Sequence, residues 1–119
     1  MTYQIPDSRR AAVDAALEAL AGAKRVILAT HMNADGDGAG SEAALLSLLG
    51  ETGVEAWIVN PTPFPDLYRF LVPDASRVLD AQGEEAARRC AEADLCVVLD
   101  TGEKSRIGRV NPMISASPA

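Results

Sequence analysis

Residues 30–41 read Thr30-His31-Met32-Asn33-Ala34-Asp35-Gly36-Asp37-Gly38-Ala39-Gly40-Ser41, and this stretch decides the fold. It follows a short continuous apolar run, residues 26–29, and precedes a leucine-rich segment, residues 42–49. The pattern predicts a buried strand, then a tight polar turn, then a helix. The turn carries the only histidine of the sequence and two aspartates, a composition that suits a hard or borderline divalent cation.

The rest of the chain continues the alternation of strand and helix. Helices are predicted over residues 7–21, where Val13, Leu17 and Leu20 form one apolar stripe that should pack, and over residues 83–93. Further strands are predicted at residues 54–59, 76–79 and 95–99, with one or two helical turns at 65–71 after a proline-rich break. The fold class is therefore α/β, a parallel sheet with helices on both faces.

Composition sets limits on location and partners. A chain of 119 residues with 48% apolar residues forms one domain, and no apolar run approaches the roughly 18 residues of a spanning helix. The polar N-terminus lacks an apolar signal core, so we expect a cytoplasmic protein without a membrane partner. The net charge of −6 argues against long duplex nucleic acid. Cys90 and Cys96 are not in a CxxC arrangement, and each is expected to be a small buried hydrophobe.

Carboxylates follow two of the predicted strands at the point where each strand ends. Residues 26–29 lead into His31, Asp35 and Asp37, and residues 95–99 lead into Asp100. If these strands are neighbours, four metal-type ligands converge at the carboxyl edge of the sheet, where open α/β sheets bind ligands. Several carboxylates with one imidazole suit Mn²⁺ or Mg²⁺ better than a thiolate-rich zinc site, and the excess of negative charge favours two cations.

The turn allows two other interpretations. Asn33, Asp35, Asp37 and Gly38 match the opening of a calcium-binding EF-hand loop, but that loop needs a bidentate glutamate at its twelfth position. Ala44 stands there, and the segment before the loop is a predicted strand, so the calcium loop is excluded. The other interpretation is a turn merely rich in aspartate and glycine, which the separate placement of Asp100 disfavours.

The two loops resemble motifs of the DHH phosphoesterases. His31-x-Asn33-x-Asp35-Gly36-Asp37-x-x-Gly40-Ser41 resembles their motif I, and Asp100-Thr-Gly-Glu-Lys-Ser-Arg106-Ile-Gly108 resembles their motif II. The opening His-x-Asn and closing Gly-Ser are similar to the nanoRNase (oligoribonuclease) and phosphoadenosine-phosphate phosphatase branch. RecJ-type exonucleases and cyclic-dinucleotide phosphodiesterases have a different motif I sequence. The resemblance extends over about residues 24–114 and implies a Rossmann-like DHH domain.

The resemblance implies a role for each matching residue. His31 and Asp35 would bind a first metal, Asp37 a second, and Asp100 would bridge both, which makes Asp37 and Asp100 the catalytic residues. The cofactor would be two Mn²⁺ ions, or Mg²⁺, about 3.5–4 Å apart, which activate a water for in-line attack on phosphorus. The substrate would be a very short RNA, cut to mononucleotides, or a nucleotide bisphosphate that loses phosphate.

Two further residues would contact the substrate. Ser41 and the amides at the start of its helix would hold a phosphate oxygen. Arg106 would either anchor the motif II loop, the role we favour slightly, or contact a phosphate.

The sequence also departs from the family pattern. The Asp-His-His of motif III is absent, because His31 is the only histidine, and a later metal-binding aspartate and the C-terminal substrate-binding (DHHA1) domain are missing too. We therefore expect residues 1–119 to be the N-terminal part of a DHH domain, truncated before motif III and inactive or nearly inactive alone. A homodimer is an option for the full-length protein. The alternatives are a non-catalytic remnant that binds metal or a partner, and another DHH activity on cyclic or linear dinucleotides.

Overall fold

Strands and helices alternate along the chain in the computed structural model, which describes residues 2–119. Short 3₁₀ turns lie at Asp66–Leu71, Ala75–Arg77 and Lys104–Ile107. In chain order the helices and strands are α1 (Asp7–Gly22), β1 (Arg25–Ala29), α2 (Gly36–Glu51), β2 (Glu55–Asn60), β3 (Val78–Asp80), α3 (Glu84–Glu92), β4 (Leu95–Val98) and α4 (Val110–Ser115).

The strands form one parallel sheet in the order β3-β2-β1-β4. The chain runs outward from β1 through β2 to β3 and then returns to β4 on the other side of β1. The direction of strand order therefore reverses between β1 and β4, and such a reversal is where open α/β sheets form their ligand crevice. Val26 pairs with Leu95 and Ala29 with Val98, so the two carboxylate-bearing strands are neighbours, which is the condition for their ligands to converge.

The sheet is covered on both faces, as the sequence predicts. Val26 and Leu28 of β1 pack with α2 and with Phe64 of the loop after β2. Ile27 and Ala29 point the other way, into a second cluster that includes α3 and α4. All four residues are completely buried, which explains why β1 is a continuous apolar run rather than an alternating one.

Helix α2 begins earlier than the sequence predicts. It starts at Gly36, because the Asp35 side chain caps it by accepting a hydrogen bond from the Gly38 N–H at 3.0 Å. The first turn lies directly on the end of β1, and a Cβ at Gly38 would come within 2.6 Å of the Thr30 Oγ1. Asp37 and Ser41 are therefore helix residues, and Ser41 lies in the second turn rather than at the N-terminus.

Other expected details change as well. The apolar stripe of α1 does not pack as a whole: no residue of Asp7–Gly22 is buried, Leu17 is 58% exposed, and Leu20 alone of the stripe packs against the core. Of the leucines expected to form the buried side of α2, Leu49 is buried and Leu48 is exposed. Of the cysteines, Cys90 is buried as expected and Cys96 is half-buried. None of the helices formed by residues 2–119 is long and apolar enough to cross a membrane.

Candidate metal centre

Three of the predicted ligands meet where β1 and β4 end. The His31 Nε2 lies 3.0 Å from Asp100 Oδ2 and 3.8 Å from Asp35 Oδ1. One ligand atom from each residue lies within 4.8 Å of the others, so this cluster could hold a metal ion. The imidazole is buried and the two aspartates are exposed. The cluster thus offers one nitrogen and two carboxylate oxygens at the solvent-accessible mouth of the strand-order reversal.

The orientation of the His31 ring is set from its far side. Its Nδ1 lies 2.8 Å from the Met32 carbonyl oxygen, which can only accept, so the Nδ1–H donates and Nε2 is left facing the carboxylates. Histidines that bind metals are typically held in this way by a backbone carbonyl or carboxylate. The Met32 carbonyl and, after it, the Asp100 carboxylate raise the pKa of His31, although burial and Arg106 act in the opposite direction. Protons therefore compete with a cation for Nε2.

The two carboxylates are held in defined positions. The hydrogen bond from the Gly38 N–H is the main cause that lowers the pKa of Asp35, so this carboxylate stays ionised. Asp100 has φ 62, and Asn33, in the facing loop, has φ 55. Aspartate and asparagine tolerate this left-handed backbone best among residues other than glycine, and such conformations concentrate at functional sites.

Hydrogen bonds beneath the cluster join the ends of neighbouring strands. The Thr30 Oγ1 donates to the Leu99 carbonyl at 2.8 Å, which ties β1 to the residue before Asp100. The Thr30 N–H donates to Asn60 Oδ1 at 3.0 Å, which ties β1 to the end of β2. The Met32 N–H donates to the Arg106 carbonyl at 2.8 Å, so the motif II loop is anchored to the motif I loop through its backbone.

The remaining predicted site residues lie around this cluster. Asp37 lies on the first turn of α2 and is not among the three grouped side chains; its Oδ1 is 3.5 Å from the Ser41 Oγ, one helical turn on. The Arg106 side chain is exposed, and its charge acts to lower the pKa of His31. The structure therefore groups His31, Asp35 and Asp100, and leaves the other three at its rim.

Sequence reasoning missed two residues next to the centre, Glu42 and Asn60. Glu42 is completely buried, and its Oε1 accepts a hydrogen bond from Asn60 Nδ2 at 2.8 Å. Burial raises the pKa of Glu42 to about 8, although the Asn60 bond acts in the opposite direction. A sequence signal existed: Glu42 shares its helical face with Ala39, Ala43 and Leu49, which are core residues.

A cleft opens beside the metal cluster, at the carboxyl ends of β2 and β3. It has a volume of about 490 Å³ and shares Asn60 with the network beneath the cluster. Its lining combines apolar residues, such as Phe64 and Val78, with charged residues of both signs, Arg69, Asp80 and Arg109. The cleft can therefore accept a ligand that has both apolar and polar parts.

The architecture and this cluster together define an α/β protein with a candidate divalent-metal centre at the strand-order reversal. The chain is similar to a crystal structure described as an exopolyphosphatase-related protein from Bacteroides fragilis, with a TM-score of 0.81 and 26% sequence identity. The match covers 92% of this chain and 33% of the other, so the chain spans about a third of that protein's length. No family model and no curated protein matches the chain. The structural likeness supports a DHH-like phosphoesterase fold.

Proposed function

We propose that this chain forms part of a two-metal phosphoesterase of the nanoRNase and phosphoadenosine-phosphate phosphatase kind. The observation that carries the proposal is the convergence of His31, Asp35 and Asp100 at the strand-order reversal. The two motifs that resemble those of DHH phosphoesterases supply these three residues. The likeness to an exopolyphosphatase-related protein supports phosphoester chemistry in general.

The donor chemistry fits a hard or borderline divalent cation, and we propose Mn²⁺, with Mg²⁺ as the alternative. Adjacent ligands of an octahedral ion at bond lengths of about 2.1 Å lie roughly 3 Å apart, close to the spacing of the His31 and Asp100 ligand atoms. The cysteines do not contribute, because Cys90 and Cys96 lie in and against the core cluster on the α3 side of the sheet. When bound, such cations lower the pKa of a water and neutralise charge on the phosphoryl group.

The chain's own residues would divide the work of binding. The Met32 carbonyl fixes the Nδ1 of His31, which leaves Nε2 free to face the carboxylate of Asp100, just after the end of β4. Asp37, on the first turn of α2, would contribute to a second cation, and the N-terminus of the same helix favours a bound anion such as a phosphate. Ser41 and the exposed Arg106 guanidinium would hold phosphate oxygens of the substrate.

The proposed substrate is a very short oligoribonucleotide, cut to mononucleotides, or phosphoadenosine phosphate, which loses a phosphate. The net charge of −6 disfavours a long nucleic acid, whereas a short anion can be held locally by cations and by Arg106. The enzyme would act in the cytoplasm, and its full-length form could be a homodimer.

We also propose that the centre takes further ligands from residues outside this sequence. Within residues 2–119 the grouped metal-type side chains number three, and a two-metal centre needs more. The matched neighbour is about three times as long as the part that the chain covers. This chain alone should therefore bind a cation weakly and show little or no hydrolysis.

Calorimetry with Mn²⁺ tests the centre directly. We expect weak binding by the wild-type chain that both His31→Ala and Asp100→Ala remove. Asp80→Ala is the matched control, because Asp80 is an exposed aspartate at the same edge of the sheet and lies outside the cluster. Absence of any Mn²⁺ binding by the wild-type chain would contradict the proposal and favour a non-catalytic remnant.

Hydrolysis assays test the incompleteness. A dinucleotide and phosphoadenosine phosphate are each incubated with the chain and Mn²⁺, and the release of mononucleotide or of phosphate is measured. Little or no product is expected. Rapid Mn²⁺-dependent hydrolysis that Asp100→Ala abolishes would show that these residues make a complete site, contrary to the proposal.

A further inference from the structure

Glu42 and Asn60 form a buried polar pair under the metal cluster. The Glu42 carboxyl group has no exposure to solvent, and its Oε2 has no hydrogen-bond partner. Its Oε1 accepts from Asn60 Nδ2 at 2.8 Å, and the Asn60 residue is itself 6% exposed. The pair joins the middle of α2 to the end of β2, two elements that the chain could have joined by apolar packing alone.

The asparagine uses both ends of its amide. Its Nδ2 donates to Glu42, and its Oδ1 accepts the Thr30 N–H at 3.0 Å. Thr30 directly precedes His31, and its Oγ1 donates to the carbonyl of Leu99, which directly precedes Asp100. One continuous series of hydrogen bonds therefore runs from α2 through β2 and β1 to β4. It ends at the backbone that carries the two facing ligand residues.

Stability alone does not account for this pair. A buried carboxyl group with one unpartnered oxygen costs free energy, and a well-packed apolar side chain at the same place would avoid that cost. The alternative is a role in geometry. Groups that fix the orientation of metal ligands are typically hydrogen-bonded partners one step removed from the metal, and they change metal affinity when they are altered.

We propose that Glu42 and Asn60 are positioning residues of the metal centre, which hold the end of β1 so that His31 Nε2 faces Asp100. Glu42 sets the rotamer of the Asn60 amide, and Asn60 fixes the Thr30 backbone. Thr30 then sets the spacing between the two ligand-bearing loops. The positioning of the imidazole is a property of the chain itself, and its use in binding a cation rests on the proposed function.

His31 supplies a direct readout, because it is the only histidine and gives a single set of imidazole signals. The test records the ¹⁵N and ring-proton resonances of His31 in the metal-free chain. Asn60→Ala and Glu42→Leu should move these resonances toward their values in the unfolded chain. Glu42→Gln keeps an acceptor for Asn60 Nδ2 and should retain the wild-type signals.

Leu49→Ala is the matched control. Leu49 lies on the same buried face of α2, and its side chain is apolar, so shortening it destabilises the core without removing a side-chain hydrogen bond. It should leave the His31 resonances at wild-type positions, although the protein unfolds more easily. If Asn60→Ala does not fold, Glu42→Leu, which is apolar and similar in size, provides the decisive comparison.

Calorimetry with Mn²⁺ then tests the consequence for binding. Asn60→Ala and Glu42→Leu should weaken the affinity by roughly tenfold or more, as loss of an orienting partner does elsewhere. Leu49→Ala and Glu42→Gln should stay within about threefold of wild type, well below that orienting-partner effect.

The outcomes separate the two proposals. Unchanged His31 resonances in both Asn60→Ala and Glu42→Leu would overturn the positioning role, whether or not Mn²⁺ binds. Equal displacement of the resonances by Leu49→Ala would also overturn it, because the effect would then be general loosening. Absence of Mn²⁺ binding by the wild-type chain contradicts the proposed function instead, and the resonances still decide the positioning role.

Discussion

Replacing Glu42 by glutamine should stabilise the protein above about pH 5, and the gain should grow as the pH rises. The carboxyl group is completely buried, and burial raises its pKa from 4.5 to about 8. Because the folded state holds this proton more tightly than the unfolded state, the stability of the wild-type chain falls between these two pH values. Glutamine does not titrate, so the variant escapes this loss.

The magnitude follows from the size of the shift. Each pKa unit corresponds to about 1.36 kcal/mol, so raising the pH from about 5 to about 8 should cost the wild-type chain roughly 3–4 kcal/mol relative to the variant. A domain of this size gains about 4 °C in Tm per kcal/mol, so the difference in Tm between the variant and the wild type should grow by roughly 12–16 °C from about pH 5 to about pH 8. At pH 5 the free energy of unfolding of the variant should equal or be slightly below that of the wild type. Glu42 Oε2 has no hydrogen-bond partner, so the amide nitrogen of a glutamine at that position would have none either.

The assay is thermal and urea unfolding, followed by circular dichroism, at several pH values between 5 and 8. Other titrating groups, His31 included, are present in both chains and cancel in the difference. Glu51→Gln, at the exposed end of the same helix, should show no such trend, since its carboxylate is solvated in both states. A wild-type-to-variant difference that is constant from pH 5 to pH 8 would refute the buried, protonated Glu42.

Three further substitutions test the packing at the strand ends, and a change of pH tests the metal cluster. Thr30→Val removes the hydrogen bond to the Leu99 carbonyl and should lower the free energy of unfolding by about 1–2 kcal/mol in urea titrations; an unchanged value would mean that the bond is not formed. Gly38→Ala places a Cβ 2.6 Å from Thr30 Oγ1 and should destabilise by about 1–3 kcal/mol. Gly40→Ala, on the same helix with open space around it, should stabilise by up to about 1 kcal/mol, so the same sign for both would contradict the close packing of the first turn. Because the pKa of His31 is raised above 6.5, Mn²⁺ affinity should increase as the pH rises through that pKa. In the metal-free chain, protonated His31 stabilises the fold fully below pH 6.5, and this stabilisation is lost as the pH rises through the pKa of His31. The His31 contributions to Mn²⁺ affinity and to the free energy of unfolding without metal should therefore change in opposite directions.

The architecture was predictable because its signals are local. The continuous apolar run of β1 indicates a strand buried on both faces, and the carboxylates after two such strands indicate the functional edge. The same reasoning predicted that four ligands converge if β1 and β4 are neighbours; the structure groups His31, Asp35 and Asp100 and leaves the fourth, Asp37, outside the group.

The errors arose where long-range contacts override local preference. Gly36, Gly38 and Gly40 are poor helix residues, yet α2 starts among them because Asp35 caps it and Gly38 fits against Thr30. Glu42 would ordinarily be placed on the surface. The buried helical face around it indicates its burial, but its hydrogen-bond partner, Asn60, lies 18 positions along the chain, and no periodicity predicts such a pairing.

The metal cluster contains His31 and Asp100, which are 69 positions apart in the sequence. The cluster therefore forms only when the strands that carry these residues have paired. His31 and Asp100 come together when β4 pairs with β1, and the chain between them contains α2, β2, β3 and α3. A cation held by both residues would stabilise the completed sheet by mass action, by about 2.7 kcal/mol at a hundred times its dissociation constant. Transient release of β4 alone would dismantle the ligand set, so the centre exists in the finished fold and in no partly folded form that lacks this strand.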